Sequence, residues 1–154
     1  MRIIAVGFLL PVLLACGRLA TPRHGYSTEF DGYLVERARE LLPELDRKSG
    51  GGGGGGSDGA YSSQFDRRLE TTEAIPADRH AALIADLARD ARAWLDDHGL
   101  EIRAKGTTGD ENETLERVCY RYEAGGLVGW LALDGIRNEK GGFTLLITIM
   151  EHVG

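Results

Sequence analysis

The sequence contains few cysteines and histidines, the residues that form disulfide bonds and bind many metal ions. It contains two cysteines, Cys16 and Cys119, which lie far apart in the chain. Its four histidines are scattered, at His24, His80, His98 and His152. No His-x-x-x-His or Cys-x-x-Cys spacing is present, although zinc sites are built from ligands at such spacings. The sequence therefore predicts no metal ion, and nothing in it indicates another cofactor.

Basic residues are also fewer than acidic ones. The chain carries 18 lysines and arginines against 24 aspartates and glutamates, which gives a formal net charge of −6 at pH 7. Proteins that bind nucleic acid need a clustered basic surface, and electrostatic adhesion to anionic lipid needs one as well. The composition therefore argues against nucleic acid as a partner and against a charge-driven attachment to membranes.

The N-terminal hydrophobic run is too short to cross a bilayer. It extends from Ile3 to Leu14 and is interrupted by Pro11, whereas a spanning helix needs roughly 20 apolar residues. The run follows a single cation, Arg2, and ends close to a small residue, which is the pattern of a cleaved export signal. We therefore predict a signal peptide at residues 1–15.

The end of this run carries a more specific motif. Leu13-Leu14-Ala15-Cys16 resembles the lipobox of bacterial lipoproteins, a resemblance that covers residues 1–17 alone. It implies cleavage of the Ala15–Cys16 bond and acyl chains on Cys16, which becomes the first mature residue. Two or three chains would hold the protein on a membrane, since each buried methylene contributes about 0.8 kcal/mol. The alternative is an ordinary secretory signal in which the cysteine has no role.

The same resemblance bears on location. The residue after the cysteine is Gly17, and in lipoproteins of bacteria with two membranes an aspartate there commonly retains the protein at the inner membrane. Its absence implies the periplasmic face of the outer membrane in such a host. In any host, the resemblance implies a lipid-anchored protein of the cell envelope.

Three stretches precede the main domain. Residues 16–28 are rich in small and polar residues without apolar periodicity, which predicts a flexible, lipidated leader. Residues 29–48 have an apolar stripe at helical spacing, so we predict an amphipathic helix that Pro43 ends or kinks near Leu42. Seven consecutive glycines follow. Because ordering them opposes a large backbone entropy, residues 49–59 are predicted to be a Gly-rich linker.

Residues 60–154 are predicted to form an α+β domain. Pro76 to His98 has the clearest helical signal, with a broad apolar stripe and Gly99 at its end. Alternation is weak over 61–71 and clearer over four later stretches, which predicts strands at 100–105, 117–122, 127–133 and 143–153. A long helix packed on a four- or five-stranded antiparallel meander satisfies these patterns. Its order is similar to that of cystatin-like folds, but the inhibitory Gln-x-Val-x-Gly turn of that family is absent.

The last two predicted strands are apolar on both faces, which one packed helix does not explain. One face must meet the helix, and the other carries four large apolar residues: Val128, Trp130, Leu146 and Met150. An exposed patch of this kind usually marks a contact surface. Three arrangements remain open. The helix at residues 30–45 folds back over the patch, a protein partner or second copy covers it, or it lines a small-ligand groove.

No arrangement typical of an enzyme stands out. The serines lie outside any Gly-x-Ser-x-Gly motif, and the carboxylates Glu116, Glu123 and Asp134 are isolated acids near strand ends. Cys119 and a histidine could form a nucleophile pair, but a lone cysteine in a strand is more often a small buried hydrophobic residue. The acidic loop at 110–113 lacks the spacing of an EF-hand and is typical of a solvated turn.

The leading hypothesis is therefore a lipid-anchored envelope protein without enzymatic activity, whose α+β domain binds another protein or a second copy of itself. One alternative is a periplasmic module that binds a small ligand or inhibits a partner, through the sheet face or the loops at 106–113 and 134–142. The second alternative is an enzyme that uses Cys119.

Replacing the predicted acylation site tests the lipoprotein hypothesis. Cys16→Ser should leave an uncleaved precursor without lipid, because acylation and cleavage both depend on this thiol in lipoproteins. The measurement is incorporation of labelled palmitate, together with the size of the chain on a denaturing gel. Cys119→Ser is the matched control and should keep both the label and the processing. Normal cleavage of the Cys16→Ser chain to a soluble product would contradict the hypothesis.

Overall fold

A computed structural model of the chain describes residues 24–106, 114–137 and 139–154. The predicted signal peptide, Cys16 and most of the leader lie outside the described residues, as does the acidic loop at 110–113. The described part forms two helices and six strands, whose bounds in chain order are α1 Ser27–Leu41, β1 Leu45–Ser57, β2 Ala60–Ala74, α2 Ala77–Asp97, β3 Glu101–Gly106, β4 Thr114–Ala124, β5 Leu127–Arg137 and β6 Gly142–Val153. Neither of these helices has the length and apolar character needed to cross a membrane.

The strands form one antiparallel sheet in the order β1-β2-β6-β5-β4-β3. Strands β3 to β6 follow one another as a meander, because each is paired with the next along the chain. The β1–β2 hairpin then joins the remaining side of β6. The strand nearest the C-terminus therefore lies inside the sheet, flanked by β2 and β5.

Both helices pack on the same side of the sheet, and the hydrophobic core lies between the two layers. α1 contacts β1, β2 and β6, whereas α2 contacts β3, β4 and β5. Strand side chains alternate between the two faces of a sheet, so every second residue of β6 points into this core. Four of them are fully buried: Phe143, Leu145, Ile147 and Ile149.

An aromatic cluster joins the two helices to each other. The Trp94 ring of α2 stacks on Phe30 of α1 at a centroid distance of 4.5 Å and on His98 at 3.7 Å. Tyr26, just before α1, presents its ring edge-on to both Trp94 and His98. Each such pair contributes about 0.5–1.5 kcal/mol beyond the burial of its area, so the helices are held together as one layer.

A buried ion pair fixes α1 to the sheet. Arg67 of β2 donates from Nε and Nη2 to the two carboxylate oxygens of Asp31, at 2.9 and 2.7 Å. The two side chains are only 14% and 8% exposed. Breaking a buried pair by removing one partner typically costs about 3–5 kcal/mol. α1 is therefore a docked part of the domain.

The predicted fold class is wrong. The sheet has six strands and is not a four- or five-stranded meander, because β2 pairs with β6. The first helix is not separate, since it packs on α2 and on the sheet. The cystatin-like order fails as well, because the β1–β2 hairpin separates the two helices along the chain. The first helix is also shorter than residues 29–48, since it ends at Leu41 and Leu45 already belongs to β1.

The predicted linker at 49–59 is wrong too, because the seven glycines form the larger part of β1. Gly50–Gly56 pair residue by residue with Tyr61–Arg67 of β2. The hairpin turn is Asp58-Gly59, and both residues have positive φ, at 53° and 89°, as a type I′ turn requires. Backbone entropy opposes the ordering of these glycines, but the hydrogen bonds that β2 supplies to β1 offset it.

Aromatic rings occupy the space that side chains of β1 would fill on the helix side of the sheet. A Cβ atom added to Gly52 would collide with the Phe65 ring, and one added to Gly54 with Tyr61. A Cβ atom on Gly53, by contrast, would meet nothing within 4 Å. Glycine in a strand commonly marks such a close approach, and a cross-strand aromatic ring over it restores packing.

A pair of neighbouring substitutions distinguishes a packed strand from a linker. Gly52→Val should lower the free energy of unfolding by about 1–3 kcal/mol, because the added atoms displace Phe65. Gly53→Val should leave it unchanged or raise it by up to about 1 kcal/mol, since valine favours strands. Urea denaturation of both variants measures the difference. Equal effects at the two positions would contradict the packed strand.

Candidate binding face

The side of the sheet opposite the helices, here termed the open face, carries the side chains that alternate with the core residues. Antiparallel pairing aligns them in rows across the strands. One row, from β3 to β1, consists of Ala104, Arg121, Trp130, Met150, Gln64 and Gly53. The next row consists of Gly106, Cys119, Ala132, Thr148, Asp66 and Gly51.

Two large apolar side chains dominate the middle of the open face. Trp130 and Met150 are directly opposite each other on β5 and β6, and each is 41% exposed. Small side chains lie next to them, because Ala104 shares their row and Cys119 and Ala132 occupy the next one. The difference in size leaves a groove of about 280 Å³, lined also by Arg121 and Thr148.

The helix at residues 30–45 does not cover this patch, so that expectation is wrong. Its Asp31 bonds Arg67, whose side chain is on the opposite side of the sheet, and helix and patch are therefore separated by the sheet. The four residues singled out from the sequence do share the open face. Val128 and Leu146 are half-buried there, opposite His152 and Asp134. A protein partner and a small ligand remain as the occupants to be considered.

Cys119 lies in the groove, but its surroundings do not activate it. Partial burial raises the pKa of its thiol, Asp134 adds to the increase, and Arg117 opposes it. The thiolate is the nucleophile in cysteine chemistry, so a raised pKa leaves less of the reactive form at neutral pH. Arg117 is itself paired with Asp134. The arrangement does not favour an enzyme that uses Cys119.

Three of the four histidines lie in unrelated places. His24 contacts the Tyr61 ring edge-on at 4.8 Å, and His98 belongs to the aromatic cluster between the helices. His152 is on the open face, where its Nδ1 atom lies 2.8 Å from the Ser62 hydroxyl. Among the described residues, no three histidines, cysteines, aspartates or glutamates are grouped so that they could hold a metal ion.

The fourth histidine, His80, is a core residue. It is 1% exposed, and its ring stacks on Phe143 at a centroid distance of 4.3 Å. Burial lowers its pKa, and the positive charges of Arg137 and Arg79 lower it further. Neither ring nitrogen has a hydrogen-bond partner among the described residues. His80 therefore contributes a neutral ring to the packing of α2 on β6.

Two of the three candidate carboxylates, Asp134 and Glu123, are paired with arginines, and no two of the three are paired with each other. Asp134 pairs with Arg117 across β4 and β5. Glu123 accepts a hydrogen bond from Nε of Arg103 at 2.6 Å and also contacts Arg121 at 3.4 Å. Glu116 is exposed on β4. Paired general acids and bases need carboxylates that face a shared space, and these three do not.

A buried carboxylate that sequence reasoning missed is Glu151 of β6, which is 2% exposed. Its Oε2 atom accepts hydrogen bonds from the backbone N–H groups of Tyr26 and Ser27, at 2.7 and 2.8 Å. Its Oε1 atom accepts one from the Tyr122 hydroxyl at 2.7 Å. The first N–H groups of a helix have no partner within it, so Glu151 caps α1 from the sheet. The preceding Gly25 leaves room for it, because a Cβ atom there would collide with Oε2.

The environment of Glu151 changes its titration. Burial raises its pKa, although the hydrogen bonds from Tyr122, Tyr26 and Ser27 act in the opposite direction. Burial also raises the pKa of Tyr122, and the neighbouring Glu151 raises it further. A perturbed carboxylic acid can mark a functional site. All three of these contacts are internal to the fold, however, so we assign Glu151 a structural role.

A signal for Glu151 was present in the sequence. Phe143, Leu145, Ile147 and Ile149 occupy every second position before it, and Glu151 continues the same face of the strand. A glutamate on an apolar face must be paired, because an unpaired buried charge is strongly unfavourable. The pattern alone could not name the partners, since Tyr26 and Tyr122 are distant in sequence.

Comparison with protein-family models, with curated proteins and with solved structures finds no match for this chain. The open face and the N-terminal motif are therefore the features of this chain that bear on its function.

Glu151 should make stability depend on pH in a defined direction. Its pKa is higher in the folded chain than the ordinary 4.5, so the folded state binds the proton more tightly than the unfolded state. The stabilisation is complete below pH 4.5 and is lost as the pH rises through the folded pKa. Glu151→Gln keeps the acceptor oxygen without the charge, so its stability relative to the parent should rise over this range.

Unfolding free energies of both chains, measured by urea denaturation from pH 4 upward, test this. Tyr122→Phe is a second variant. It removes a hydrogen bond that favours the ionised carboxylate. The loss of stability with rising pH should therefore occur at a higher pH than in the parent chain. A difference between Glu151→Gln and the parent that does not change with pH would contradict the assignment.

Proposed function

We propose that this protein is a lipid-anchored component of the cell envelope that binds another protein through the open face of its sheet. The observation that carries the proposal is the exposure of Trp130 and Met150 side by side in the middle of that face. The anchor at Cys16 is proposed from the lipobox-like motif. The activity is binding, without a chemical step.

The composition of the patch supports a protein partner. Tryptophan is among the residues that most often dominate the binding energy of protein interfaces, and methionine adapts its shape to irregular surfaces. Charged and polar groups surround them: Arg121 contacts Glu123 at 3.4 Å, and Gln64 donates a hydrogen bond to Asp66 at 2.7 Å. An apolar centre with a polar rim is the usual anatomy of a protein interface.

The size of the groove favours a side chain over a free ligand. Its volume of about 280 Å³ is at the lower end of the range of roughly 300–1,000 Å³ that is typical of small-molecule sites. It is also shallow, because its floor consists of β-strand backbone and of the small residues Ala104, Cys119 and Ala132. A partner that inserts apolar side chains beside Trp130 would occupy it.

The described part of the chain begins away from the groove. The first described residue, His24, contacts Tyr61 on the helix side of the sheet, and α1 follows on the same side. The first described residues therefore lie on the side of the sheet opposite the groove. A partner in the envelope could approach the open face while the acyl chains remain in the membrane.

Photo-crosslinking from the groove tests the proposal in intact cells. A photoreactive amino acid at Thr148 should give a discrete adduct of higher mass with the partner. Trp130→Glu should reduce this adduct at least tenfold, because a charge in the apolar centre opposes docking. It should lower the free energy of unfolding by no more than about 1–2 kcal/mol, because the ring is only partly buried, so the variant should remain folded.

Arg89→Ala is the control, since Arg89 is exposed on α2, on the other side of the sheet. It should leave the adduct unchanged. The absence of any protein adduct from Thr148 would contradict the proposal. Quenching of tryptophan fluorescence by a small apolar compound, lost in Trp130→Ala, would instead support the ligand alternative.

A further inference from the structure

The outer edge of β1 is unlike the other edge of the sheet. β1 pairs only with β2, so the backbone groups on its other side have no partner among the described strands. All seven residues of Gly50–Gly56 are exposed. An edge strand with free N–H and C=O groups is a template for another strand.

Proteins normally protect such edges with charged side chains, prolines, bulges or short strands. The opposite edge follows this rule. β3 has only six described residues, three of which are charged: Glu101, Arg103 and Lys105. Over Gly50–Gly56, β1 has no side chain at all. Its register shift lies near Leu45, and the only positive φ within the glycines is at the first of them, Gly50. A second strand could approach this stretch without displacing any side chain of β1.

We propose that β1 pairs antiparallel with β1 of a second copy of this chain, so that two sheets join into one. The two-fold axis of the pair passes through Gly53, the central glycine. In this arrangement, a residue a given number of positions before Gly53 lies opposite the residue that many positions after Gly53 in the other copy. Such an interface is self-complementary, as two-fold symmetric pairs require.

The residues that flank the glycines select this register. Ser49 lies opposite Ser57 of the other copy, and Lys48 lies at the level of Asp58, the first residue of the hairpin turn that follows β1. Because of the two-fold symmetry, the lysine–aspartate pair occurs at both ends of the glycine stretch. An attraction between these opposite charges favours this register, and glycines alone would not distinguish one register from another.

The side chains of Lys48 and Asp58 can reach a second copy of the chain. Lys48 and Asp58 are both exposed, and neither forms an ion pair within the described part of the chain. Lys48 lies beside Glu36 and Glu40 of α1 at the edge of an open concavity without bonding either of them. The sequence Lys-Ser-Gly₇-Ser-Asp therefore reads as a near-palindrome with opposite charges at its ends. A strand from an unrelated protein would not match it at both ends.

Disulfide formation across the axis tests the proposal in the full chain, expressed in its own membranes with Cys119→Ala as the background. In the proposed register, Gly53 faces its own copy at a Cα separation of about 4.5–5.5 Å, which is within the range of a disulfide. Gly53→Cys should place most of the chain in a dimer after mild oxidation. Gly51→Cys and Gly55→Cys are matched controls. Each lies about 14 Å from its own copy, so these variants should remain at the background level.

A charge exchange provides the second measurement. Gly53→Lys and Gly53→Asp each place like charges at the axis, and the open space around Gly53 allows both variants to fold. Each alone should sediment as a monomer in detergent, and an equimolar mixture should regain the dimer. The proposal is overturned if the three cysteine variants cross-link equally or not at all, or if Gly53→Cys cross-links to a different protein. It is also overturned if both charged variants keep the dimer.

Discussion

A single buried carboxylate determines where the first helix lies, and the exposure of the sheet follows from it. Glu151 is on β6, inside the sheet, and accepts two backbone N–H groups from the start of α1 and the hydroxyl of Tyr122 on β4. Burying a carboxylate is unfavourable unless its oxygens are bonded, so the fold must bring these three elements together. Once α1 begins at Glu151, it extends along the helix side of the sheet. Neither of the two described helices then covers the other side.

The two faces of β5 and β6 consequently have different roles, although both are apolar. One face carries Leu131, Leu133, Leu145 and Ile147, and all four are fully buried. The other face carries Trp130 and Met150, whose exposure is a property of the position of α1 and not of the strands themselves. The groove beside them arises because small residues occupy the next row. In this arrangement Cys119 serves as a small side chain, with a thiol that burial makes less acidic.

The sequence predicts those parts of the fold whose signal lies within one short segment of the chain. α2 and the strands β3 to β6 were recognisable because their apolar residues recur with the period of a helix or a strand. The same alternation correctly separated Trp130 and Met150 from the core face. The docking of α1 was not predictable in this way, because Asp31–Arg67 and Tyr26–Glu151 join residues that are distant in sequence. The error in the fold class follows largely from this point.

The glycine stretch was misread for a different physical reason. A strand is recognised by its side chains, and seven glycines have none. The signal was instead in the neighbours: Asp58-Gly59 is a common hairpin turn, and the alternating Tyr61, Ser63 and Phe65 form the strand that follows it. Considering the turn together with the alternating partner would have indicated a hairpin. Composition alone indicated only a lack of order.

In a pair of chains joined at β1, the two Trp130 side chains would lie far apart. Gly53 belongs to the same row, three strands away from Trp130. Two tryptophans in a joined sheet are therefore separated by seven strand spacings, which is about 34 Å. Sheets twist by roughly 20–25° per strand, so the two patches would be turned away from each other by more than a right angle. Such a pair would present two separate docking surfaces that face different directions, and would act as a bridge between partners rather than as a clamp around one.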